Sequence, residues 1–589
     1  MCGITGYIGG QSAPTLLFDM LERLEYRGYD SAGIAYLAGG EIRLPKDKGK
    51  VSQVRAKLKP EKRQSHIGVG HTRWATHGVP NQVNAHPHAD CRGEFAVAHN
   101  GIIENYENLK TQLIEDGHVF KSDTDTEVIA HLIEENYEGD FPSAFRKTLT
   151  RLEGSYAICA VSTKHPDKIL VARKESPLLI GLGIDENFIA SDAPAFLRET
   201  RKAIFLGDHQ FGEVKKDSVK LYNLGDGSPL KPRVEEIEWE LEDAQKGGYH
   251  HFMLKEIHEE PAAIKNALRS EPALSEIAGK LSSRKRLIFV GCGTAYHAGL
   301  LAKYLLESKG VYAEAQVASE FRYSGINTLD SDCAIIAVSQ SGETADTIAA
   351  LKQAKKKGAY TASIVNVSGS TITRLTEDVA YTYSGPEIAV ASTKAYIGQV
   401  TALSVLSFLV CRQKKKLSDE RFKLLFEQLK RLDDKLRQVL EGDGIKALAE
   451  EQAGIKKFFY IGRNLNYPTA LEGALKLKEI TYLHAEGYPA GELKHGPIAV
   501  LDSDTTVIAL LQNTYLNDKM NSNIQEARAR DANVKSVGVG GAIPVPEVED
   551  ELTPLVNIVP LHLFAYYLSV LKGLDPDKPR NLAKSVTVE

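Results

Sequence analysis

The sequence predicts a sheet-rich α+β layered domain followed by two α/β domains with doubly wound parallel sheets. Residues 2–240 contain short runs of β-type residues between glycine-rich turns, with one clear helix from about Asp125 to Tyr137. From about residue 279 onward, an apolar strand, a Gly- or Ser-rich turn and a long helix follow one another repeatedly. Strands that alternate with helices form βαβ units, and these units build parallel sheets.

The C-terminal half contains two related copies of this pattern. The sequence IGRN at 461–464 echoes VGCGT at 290–294, which indicates an internal duplication. The stretch between the copies, from about Asp419 to Lys457, has leucines at helical spacing. The expected boundaries are an N-terminal domain at 2–240, a linker and leading helix at 241–278, a first α/β domain at 279–418, a helical connector at 419–448, a second α/β domain at 449–580 and a tail at 581–589.

Charge and composition exclude some classes of protein. The chain has 72 basic and 77 acidic residues and a net charge of −5, so no basic excess is available to neutralise nucleic-acid phosphates. The six cysteines are scattered and show no disulfide framework and no zinc spacing, so no metal site is predicted. We therefore expect no nucleic-acid partner and a reducing, cytoplasmic setting.

No membrane segment or signal peptide is expected. The first ten residues carry neither a basic nor an apolar segment. Two long apolar stretches lie near 397–411 and 552–572. The first is too short to span a bilayer, and the second is interrupted by Pro560 and His562.

Cys2 is a candidate nucleophile. Removal of Met1 is expected because the second residue is small, and it would leave Cys2 with a free α-amine. An α-amine with a pKa of about 8 can act as the base for the neighbouring thiol. A cysteine at position 2 is common by itself, so the case for a nucleophile depends on the neighbouring motifs.

Five motifs in register accompany Cys2. They are Cys-Gly-Ile-Thr-Gly at 2–6, Leu-Glu-Tyr-Arg-Gly-Tyr-Asp-Ser-Ala-Gly at 24–33, Gly-His-Thr-Arg-Trp-Ala-Thr-His-Gly at 70–78, Ala-His-Asn-Gly at 98–101 and Thr-Asp-Thr-Glu at 124–127. This set resembles the class II glutamine amidotransferases, whose nucleophile is an N-terminal cysteine. The resemblance covers residues 2–240 and implies the αββα sandwich of the N-terminal-nucleophile (Ntn) hydrolases.

The resemblance also implies roles for single residues. Asn100 and the Gly101 amide form the oxyanion hole that acyl transfer needs, although Asn-Gly alone would be read as a hairpin turn. Arg73 holds the glutamine carboxylate through its planar fork, or else forms a surface ion pair. Asp125 holds the glutamine ammonium, and it could also cap a helix. The remaining assignments are Thr76 and His77 as pocket lining and Trp74 as the gate of an ammonia channel, or else a core aromatic.

Three hydroxyl-bearing loops precede helices in the C-terminal half. They lie at Gly291–Thr294, Ser339–Thr344 and Val390–Lys394. Hydroxyls and backbone N–H groups at a helix N-terminus suit a phosphate, although one such loop could be a plain helix cap. Together the loops resemble the sugar isomerase (SIS) domain, which binds phosphosugars. The implied sugar-phosphate ligands are Thr294, Ser339, Gln340, Ser341, Thr344, Val390 and Ser392.

A glutaminase of this class followed by two SIS domains resembles the amidotransferases that make amino sugar phosphates. This resemblance implies that L-glutamine and D-fructose 6-phosphate give D-glucosamine 6-phosphate and L-glutamate, with no metal or organic cofactor. His495 would open the sugar ring, Glu479 would move the proton between C1 and C2, and Lys476 would assist it. Lys584 would form a Schiff base with C2. Without the resemblance, these residues would be a solvated i,i+3 pair, a loop histidine and a frayed tail.

Other functions remain open at this point. Ala295 stands where the family often has serine, so a different ketose phosphate is an alternative acceptor. A non-catalytic phosphosugar sensor is a second alternative, but a sensor has no use for Cys2, Arg73 and Asn100 together. Amidotransferases of purine or asparagine synthesis need other partner domains, and the chain contains no GxxxxGK[ST] loop. The resemblance further implies a homodimer or larger homo-oligomer in which a neighbour's loop around His495 completes the sugar site.

Overall fold

The computed structural model describes residues 2–59, 65–74, 77–237, 246–514 and 516–587. The chain divides into two compact units. The N-terminal unit consists of Met1–Ala244 with Ala583–Glu589, and the C-terminal unit consists of Gln245–Leu582.

The N-terminal unit contains two antiparallel sheets, of nine and seven strands among its described residues. Its strands are β1 (Gly3–Ile8), β2 (Ser31–Ala38), β3 (Glu41–Arg43), β4 (Lys46–Lys48), β5 (Ile67–Arg73), β6 (His88–Ala89), β7 (Phe95–Ile103), β8 (Gly154–Ser162), β9 (His165–Lys174), β10 (Leu179–Leu182), β11 (Asn187–Ala190), β12 (Lys202–Phe205), β13 (Gln210–Val214), β14 (Val219–Asn223), β15 (Pro229–Leu230) and β16 (Val234–Glu236). Its helices are α1 (Ala13–Arg23), α2 (Val51–Leu58), α3 (Tyr106–Glu115), α4 (Glu127–Glu135) and α5 (Phe141–Leu149).

The two sheets pack face to face, and residue alternation along the strands shows why. On β7, Ala96 and Ala98 lie in the core shared with Ile4 and Val69 of the other sheet. Their neighbours Phe95 and Val97 point to the opposite face, into a second core with α3, α4 and α5. Successive strand residues face opposite sides, so one strand serves both layers. With α1 packed against β1 and β5, the layers run α, β, β, α, as the sequence predicts.

The C-terminal unit contains two parallel sheets. The strands are β17 (Arg286–Gly291), β18 (Glu314–Val317), β19 (Cys333–Ser339), β20 (Tyr360–Val365), β21 (Asp378–Tyr381), β22 (Lys457–Gly462), β23 (His484–Pro489), β24 (Thr505–Leu510) and β25 (Asn533–Val537). The helices are α6 (Phe252–His258), α7 (Glu260–Ala267), α8 (Glu271–Ser282), α9 (Thr294–Ser308), α10 (Ala318–Phe321), α11 (Ala345–Lys356), α12 (Thr371–Leu375), α13 (Lys394–Gln413), α14 (Asp419–Lys430), α15 (Leu432–Leu440), α16 (Gly444–Glu451), α17 (Asn466–Thr481), α18 (Leu516–Arg528) and α19 (Thr553–Leu571).

Both parallel sheets are covered on both faces. On β17, Phe289 faces the large central core of this unit, whereas Ile288 and Val290 face a second core under α11 and α12. On β22, Tyr460 faces the central core and Phe459 faces a core with α18. This is the doubly wound arrangement that the alternating pattern predicts.

The order of the strands indicates where a ligand crevice lies. The first sheet has the order β18-β17-β19-β20-β21, so the chain moves outward in opposite directions from β17 and β19. Doubly wound sheets bind ligands outside the carboxyl ends of the strands at such a reversal. The loops Gly291–Thr294 and Ser339–Thr344 follow these two strands, as a phosphosugar site requires.

Some sequence expectations differ in detail. The helix expected from about Asp125 to Tyr137 is shorter and spans Glu127–Glu135. The connector is three helices, α14, α15 and α16, because Arg431 and the segment 441–443 interrupt the helical pattern.

Two helices of the C-terminal unit are long and apolar enough to cross a membrane. They span Lys394–Gln413 and Asp550–Leu571, and 100% and 83% of their most apolar windows are buried within the fold. The expectation that the first is too short is wrong, since polar residues extend its helix at both ends of the apolar run. Burial of this extent is typical of central core helices, because a spanning helix exposes its apolar side chains to lipid.

Candidate active sites

Cys2 lies immediately before β1, and strand register places it beside the end of β5. Gly3 pairs with Thr72, so Cys2 comes next to Arg73 and Trp74. The Trp74 amide donates a hydrogen bond to Cys2 Sγ at 3.2 Å, and the thiol lies 3.4 Å from the Trp74 carbonyl oxygen. Burial raises the pKa of the Cys2 thiol, while the Trp74 amide and the Arg73 charge act to lower it. Cys2, the predicted nucleophile, is therefore positioned by β1, which it precedes, and by the end of β5.

Asn100 reaches the nucleophile from β7. Its Nδ2 atom donates to the Cys2 carbonyl at 3.0 Å and to Ser191 Oγ at 2.8 Å. Its Oδ1 atom lies 3.0 Å from His71 Nε2, so both ends of the amide are fixed. Both N–H groups of this amide have acceptors here, so an oxyanion that binds Asn100 takes the place of one of them. Neither Ser191 nor His71 was given a role from the sequence: Ser191 lies outside the quoted motifs, and His71 lies within the motif at 70–78, whose spacing does not show that it contacts Asn100.

Gly101 can only be glycine. Its φ is +127°, and an added Cβ would lie 2.0 Å from the Ser155 carbonyl oxygen on β8. Because no side chain fits, the backbone can approach the neighbouring strand closely at this point. The hairpin-turn alternative for Asn-Gly is wrong, since both residues lie within β7.

Arg73 and Asp125 are both buried. Arg73 Nη2 donates to the carbonyl oxygens of His77 and Gly78, the latter at 3.0 Å. Its Nη1 atom is buried without a hydrogen-bond partner among the described residues. A buried cationic donor without an acceptor is costly and marks a place for an anion. The alternative of a surface ion pair is therefore wrong.

Asp125 faces the same space. Its Oδ2 atom accepts a hydrogen bond from the Ile103 amide at 2.9 Å. Its charge acts to raise the pKa of both Cys2 and Arg73, so the three groups lie close together. The helix-cap alternative is wrong, because α4 begins at Glu127 and its capping position is Thr126.

Of the remaining predicted residues of this site, two make aromatic contacts and one lies outside the described residues. Trp74 packs edge-on against Tyr29, with ring centroids 5.6 Å apart. The His77 ring packs against Tyr106 at 5.3 Å. Thr76 lies outside the described residues.

A cluster of buried histidines lies behind Asn100. The His71 ring stacks on His86 at 4.2 Å, and His86 meets His88 at 4.8 Å. His99 Nδ1 lies 2.8 Å from Thr126 Oγ1. Burial lowers the pKa of all four histidines, that of His71 to about 3. They are neutral hydrogen-bonding groups at neutral pH.

The C-terminal unit holds a second polar cluster, between α9 and α17. Thr294 Oγ1 donates to Glu472 Oε1 at 2.9 Å and accepts from Lys476 Nζ at 3.0 Å. Lys476 Nζ also lies 2.7 Å from Glu479 Oε2, and His297 Nδ1 lies 2.7 Å from Glu472 Oε2. The solvated-pair alternative for Lys476 is wrong, since its side chain is 1% exposed.

Opposite charges stabilise this cluster. Burial acts to raise the pKa of Glu472, but Lys476 and His297 outweigh it and hold the value at about 2. Glu472 and His297 were missed by sequence reasoning. Glu472 lies 178 residues from Thr294 along the chain, so only the fold brings them together.

The Ser339–Thr344 loop turns back on itself after β19. The Gly342 amide donates to Ser339 Oγ at 3.0 Å, and the Ser339 and Thr344 hydroxyls lie 3.2 Å apart. Gly342 has a φ of +66°, and a Cβ there would lie 2.0 Å from Ser370 Oγ. Glu343 anchors the loop by accepting from the Thr371 amide and hydroxyl at 2.8 and 2.7 Å. Gln340 and Ser341 lie within this loop.

The third loop contains unsatisfied hydroxyls. Ser392 Oγ and Thr393 Oγ1 are buried and have no hydrogen-bond partner in the parts of the chain that the structure describes. The Glu387 carboxylate accepts from the amides of Thr393 and Ala395 at the start of α13. Val390 is tied by its amide to the Asp577 carbonyl at 3.0 Å. The hydroxyls are therefore free to meet a polar ligand.

Two further predicted residues belong to neither of the two helices that form this cluster. His495 is exposed after a short 3₁₀ helix, Ala490–Lys494, and its ring makes no hydrogen bond or ion pair with the residues described. Lys584 lies in Ala583–Glu589, the segment that groups with the N-terminal unit. Their roles at the sugar stay predictions.

Comparison with known proteins agrees with both sites. The family "Glutamine amidotransferase domain" matches residues 71–198, and the SIS domain matches 280–408 and 453–539. Two curated relatives named glutamine–fructose-6-phosphate aminotransferase [isomerizing] are each 49% identical over 100% of both chains. They come from Caldanaerobacter subterraneus subsp. tengcongensis and Pyrococcus horikoshii.

A solved structure shows the same relationship for the C-terminal half. The C-terminal domain of glucosamine-fructose-6-phosphate aminotransferase from Francisella tularensis superposes with a TM-score of 0.54 and 36% identity, over 57% of this chain and 100% of that one. The full-length identities, together with the nucleophile and phosphosugar loops, place this chain in the glutamine–fructose-6-phosphate aminotransferase (isomerizing) family.

Proposed function

We propose that this chain transfers the amide nitrogen of L-glutamine to D-fructose 6-phosphate and isomerises the product to D-glucosamine 6-phosphate, releasing L-glutamate. The proposal rests on two contacts in a chain whose full-length relatives are named glutamine–fructose-6-phosphate aminotransferase [isomerizing]. The Asn100 amide contacts Cys2, and Lys476 contacts Glu479.

Glutamine hydrolysis takes place in the N-terminal unit. Once Met1 is removed, the α-amine of Cys2 accepts the thiol proton and the thiolate attacks the side-chain amide of glutamine. Asn100 and the Gly101 amide stabilise the tetrahedral oxyanion. Arg73 binds the substrate carboxylate through its unpaired Nη1 atom, and Asp125 binds the ammonium. Thr76 and His77 line the pocket. Water then releases glutamate from the acyl-enzyme.

Sugar phosphate binds at the carboxyl ends of β17 and β19. Ser339, Gln340, Ser341 and Thr344 hold the phosphate, and Thr294, Val390 and Ser392 contact the sugar. His495 opens the ring, and Lys584 condenses with the C2 carbonyl to a Schiff base with loss of water. Ammonia then adds to C2 and displaces the Lys584 amine. Glu479 then moves a proton between C1 and C2, and Lys476 holds the Glu479 carboxylate in place.

The two half-reactions are joined by a channel for ammonia. Free ammonia in water at neutral pH is mostly ammonium, which is not nucleophilic, so a dry passage keeps it reactive. We assign Trp74 as the gate, because its backbone holds the nucleophile while its ring packs on Tyr29. The steps need no metal and no organic cofactor.

The enzyme is proposed to act as a homodimer or larger homo-oligomer. His495 is exposed on its own chain, which suits a residue that acts in a neighbour's sugar site. The cytoplasm is the proposed compartment, because all six cysteines are free and a thiol nucleophile needs reducing conditions.

The test follows both products. The purified chain is incubated with glutamine and fructose 6-phosphate, and glutamate and hexosamine phosphate are measured together. We expect equal amounts of both, none from Cys2→Ala with glutamine, and normal amounts from Cys333→Ala, which removes a thiol at the start of β19. Glutamate without amino sugar, in a chain shown by mass spectrometry to lack Met1, would overturn the assigned acceptor. A panel of other ketose phosphates would then identify the correct one.

A further inference from the structure

Four metal-ligand side chains meet on the helical side of the N-terminal unit, away from Cys2. Cys91 lies in the turn between β6 and β7, His118 follows α3, and His131 and Glu134 lie on α4. One ligand atom from each lies within 4.8 Å of all the others. The side chains of His131, His118 and Glu134 are 1%, 9% and 10% exposed, whereas Cys91 is exposed and leaves an entry path.

The distances match the edges of a tetrahedron around zinc. Zn–S of about 2.3 Å and Zn–N or Zn–O of about 2.0–2.1 Å put sulfur about 3.6 Å from nitrogen and nitrogen about 3.3 Å from oxygen. Cys91 Sγ lies 3.6 Å from His118 Nδ1 and 3.5 Å from His131 Nδ1. Glu134 Oε2 lies 3.2 Å from His118 Nδ1 and 3.7 Å from His131 Nδ1. Four of the six edges therefore have about the length that a zinc tetrahedron requires.

A carboxylate lies behind each imidazole, within hydrogen-bond distance of His118 and just beyond that distance from His131. His118 Nε2 lies 3.1 Å from Glu135 Oε2, and His131 Nε2 lies 3.6 Å from Glu127 Oε1. A carboxylate behind the far ring nitrogen is the usual support of a zinc-bound histidine, because it leaves the near nitrogen free to bind.

The remaining ligands are oriented in the same way. Arg92 Nε holds the other oxygen of Glu134 at 3.2 Å. The Val119 amide donates to Cys91 Sγ at 3.3 Å, which suits a thiolate. An ion-pair network between histidines and glutamates would account for the position of the carboxylates, but it would not require the Cys91 sulfur at the fourth corner of the tetrahedron.

We propose that Cys91, His118, His131 and Glu134 bind one Zn²⁺ ion in a structural site. Thiolate and imidazole ligands favour zinc over magnesium or calcium, which prefer oxygen. One thiolate and one carboxylate balance the ion's charge, and four protein ligands leave no position for a substrate. The ion ties the β6–β7 turn to α3 and α4, and α4 starts two residues after Asp125.

The sequence shows only one short spacing of this site. Zinc motifs are recognised by pairs of ligands two to four residues apart, and here only His131 and Glu134 form such a pair. Cys91 lies 27 residues from His118 and 40 from His131. The sequence therefore predicted no metal site, because the spacing rule does not detect ligands that lie this far apart along the chain.

Metal content is the first test. The full chain is freed of metal with a chelator, loaded with zinc alone, desalted and analysed for bound metal. We expect about one zinc per chain, and less than about a tenth of that in Cys91→Ser and His118→Ala. His66→Ala, which removes an exposed histidine of the same unit, serves as the matched control and should keep its zinc. Zinc retained by the two ligand variants, or none bound by the wild type, would overturn the site.

Two further measurements use the wild-type chain, so they do not depend on how variants fold. Cobalt(II) in place of zinc should give visible bands of a tetrahedral ion and a near-ultraviolet thiolate-to-cobalt band. Zinc should also slow alkylation of Cys91, read by peptide mass spectrometry, at least about tenfold relative to the metal-free chain. Equal alkylation with and without zinc, or a cobalt spectrum without the thiolate band, would overturn the proposal.

Discussion

The Lys476 ammonium lies between two carboxylates of its own helix, 2.7 Å from Glu479 Oε2 and 3.3 Å from Glu472 Oε1. Lys476 and Glu472 are essentially unexposed. Burial acts to lower the pKa of Lys476, but the two carboxylates outweigh it and raise the pKa. Lys476 is therefore a permanent cation here, suited to hold the Glu479 carboxylate in place rather than to accept a proton.

Replacing Lys476 with methionine should cost both stability and activity. The change leaves Glu472 buried with one counter-charge fewer, which typically costs about 3–5 kcal/mol. We expect the free energy of unfolding of the C-terminal unit, from urea titration, to fall by that order. Amino-sugar formation should be lost while glutamine hydrolysis continues. Adding Glu472→Gln should restore part of the stability but none of the activity. A loss of stability below about 1 kcal/mol would contradict the role of Lys476 as the main counter-charge.

Replacing Arg73 with glutamine should weaken glutamine binding. Its unpaired Nη1 atom is the proposed carboxylate donor, and hydrogen bonds to charged groups contribute about 1.5–3 kcal/mol. We expect KM for glutamine to rise by about 10- to 150-fold, with a smaller change in kcat. Steady-state glutaminase assays measure this, with Arg55→Gln on α2 as the control. An unchanged KM would place the carboxylate elsewhere.

Replacing Glu343 with glutamine should loosen the phosphate loop. The Glu343 carboxylate accepts two hydrogen bonds from Thr371, and an amide can accept only through its one oxygen. KM for fructose 6-phosphate should rise by about tenfold, since one such bond is worth about 1–2 kcal/mol. Glutamine hydrolysis measured without sugar should not change. If KM for the sugar phosphate stays at the wild-type value, Glu343 does not position this loop.

Local signals in the sequence predicted the candidate residues of both sites. Cys2, Asn100 and Arg73 stand in contiguous motifs, and the Ser339–Thr344 loop lies between a strand and a helix. The β-type runs between glycine-rich turns also predicted a sheet-rich layered domain, and the resemblance to class II glutamine amidotransferases implied the sandwich. The first four residues of β7, Phe95–Ala98, are apolar because both faces of this strand are covered.

Partners that meet only in the fold were not predictable. Glu472 and Ser191 lie far along the chain from Thr294 and Asn100, which they contact. Asp125 looked like a helix cap because short acidic residues often precede helices, yet its carboxylate reaches the backbone of β7 instead.

The buried histidines predict that the N-terminal unit loses stability in mild acid. His71, His86, His88 and His99 are neutral in the fold because burial lowers their pKa values, that of His71 from 6.5 to about 3. The unfolded chain binds more protons below pH 6.5, so the free energy of unfolding falls as the pH drops from there towards 3. Each such histidine contributes a slope of up to about 1.4 kcal/mol per pH unit.

Tryptophan fluorescence can report this loss of stability, because Trp74 lies beside Cys2 in the N-terminal unit. Urea titrations with a chelator present, at pH about 7.5, 6.5 and 5.5, give the slope. His88→Gln keeps a hydrogen-bonding group near Thr124, which now lies 3.2 Å from His88 Nε2, but cannot be protonated. Between pH about 7.5 and 5.5 it should lose about 1.4 kcal/mol less of the free energy of unfolding, in total, than the wild type loses. His66→Gln, at an exposed position, should keep the wild-type slope. Parallel curves for wild type and His88→Gln would mean that His88 is not neutral in the fold, and the acid sensitivity would have to come from the carboxylates.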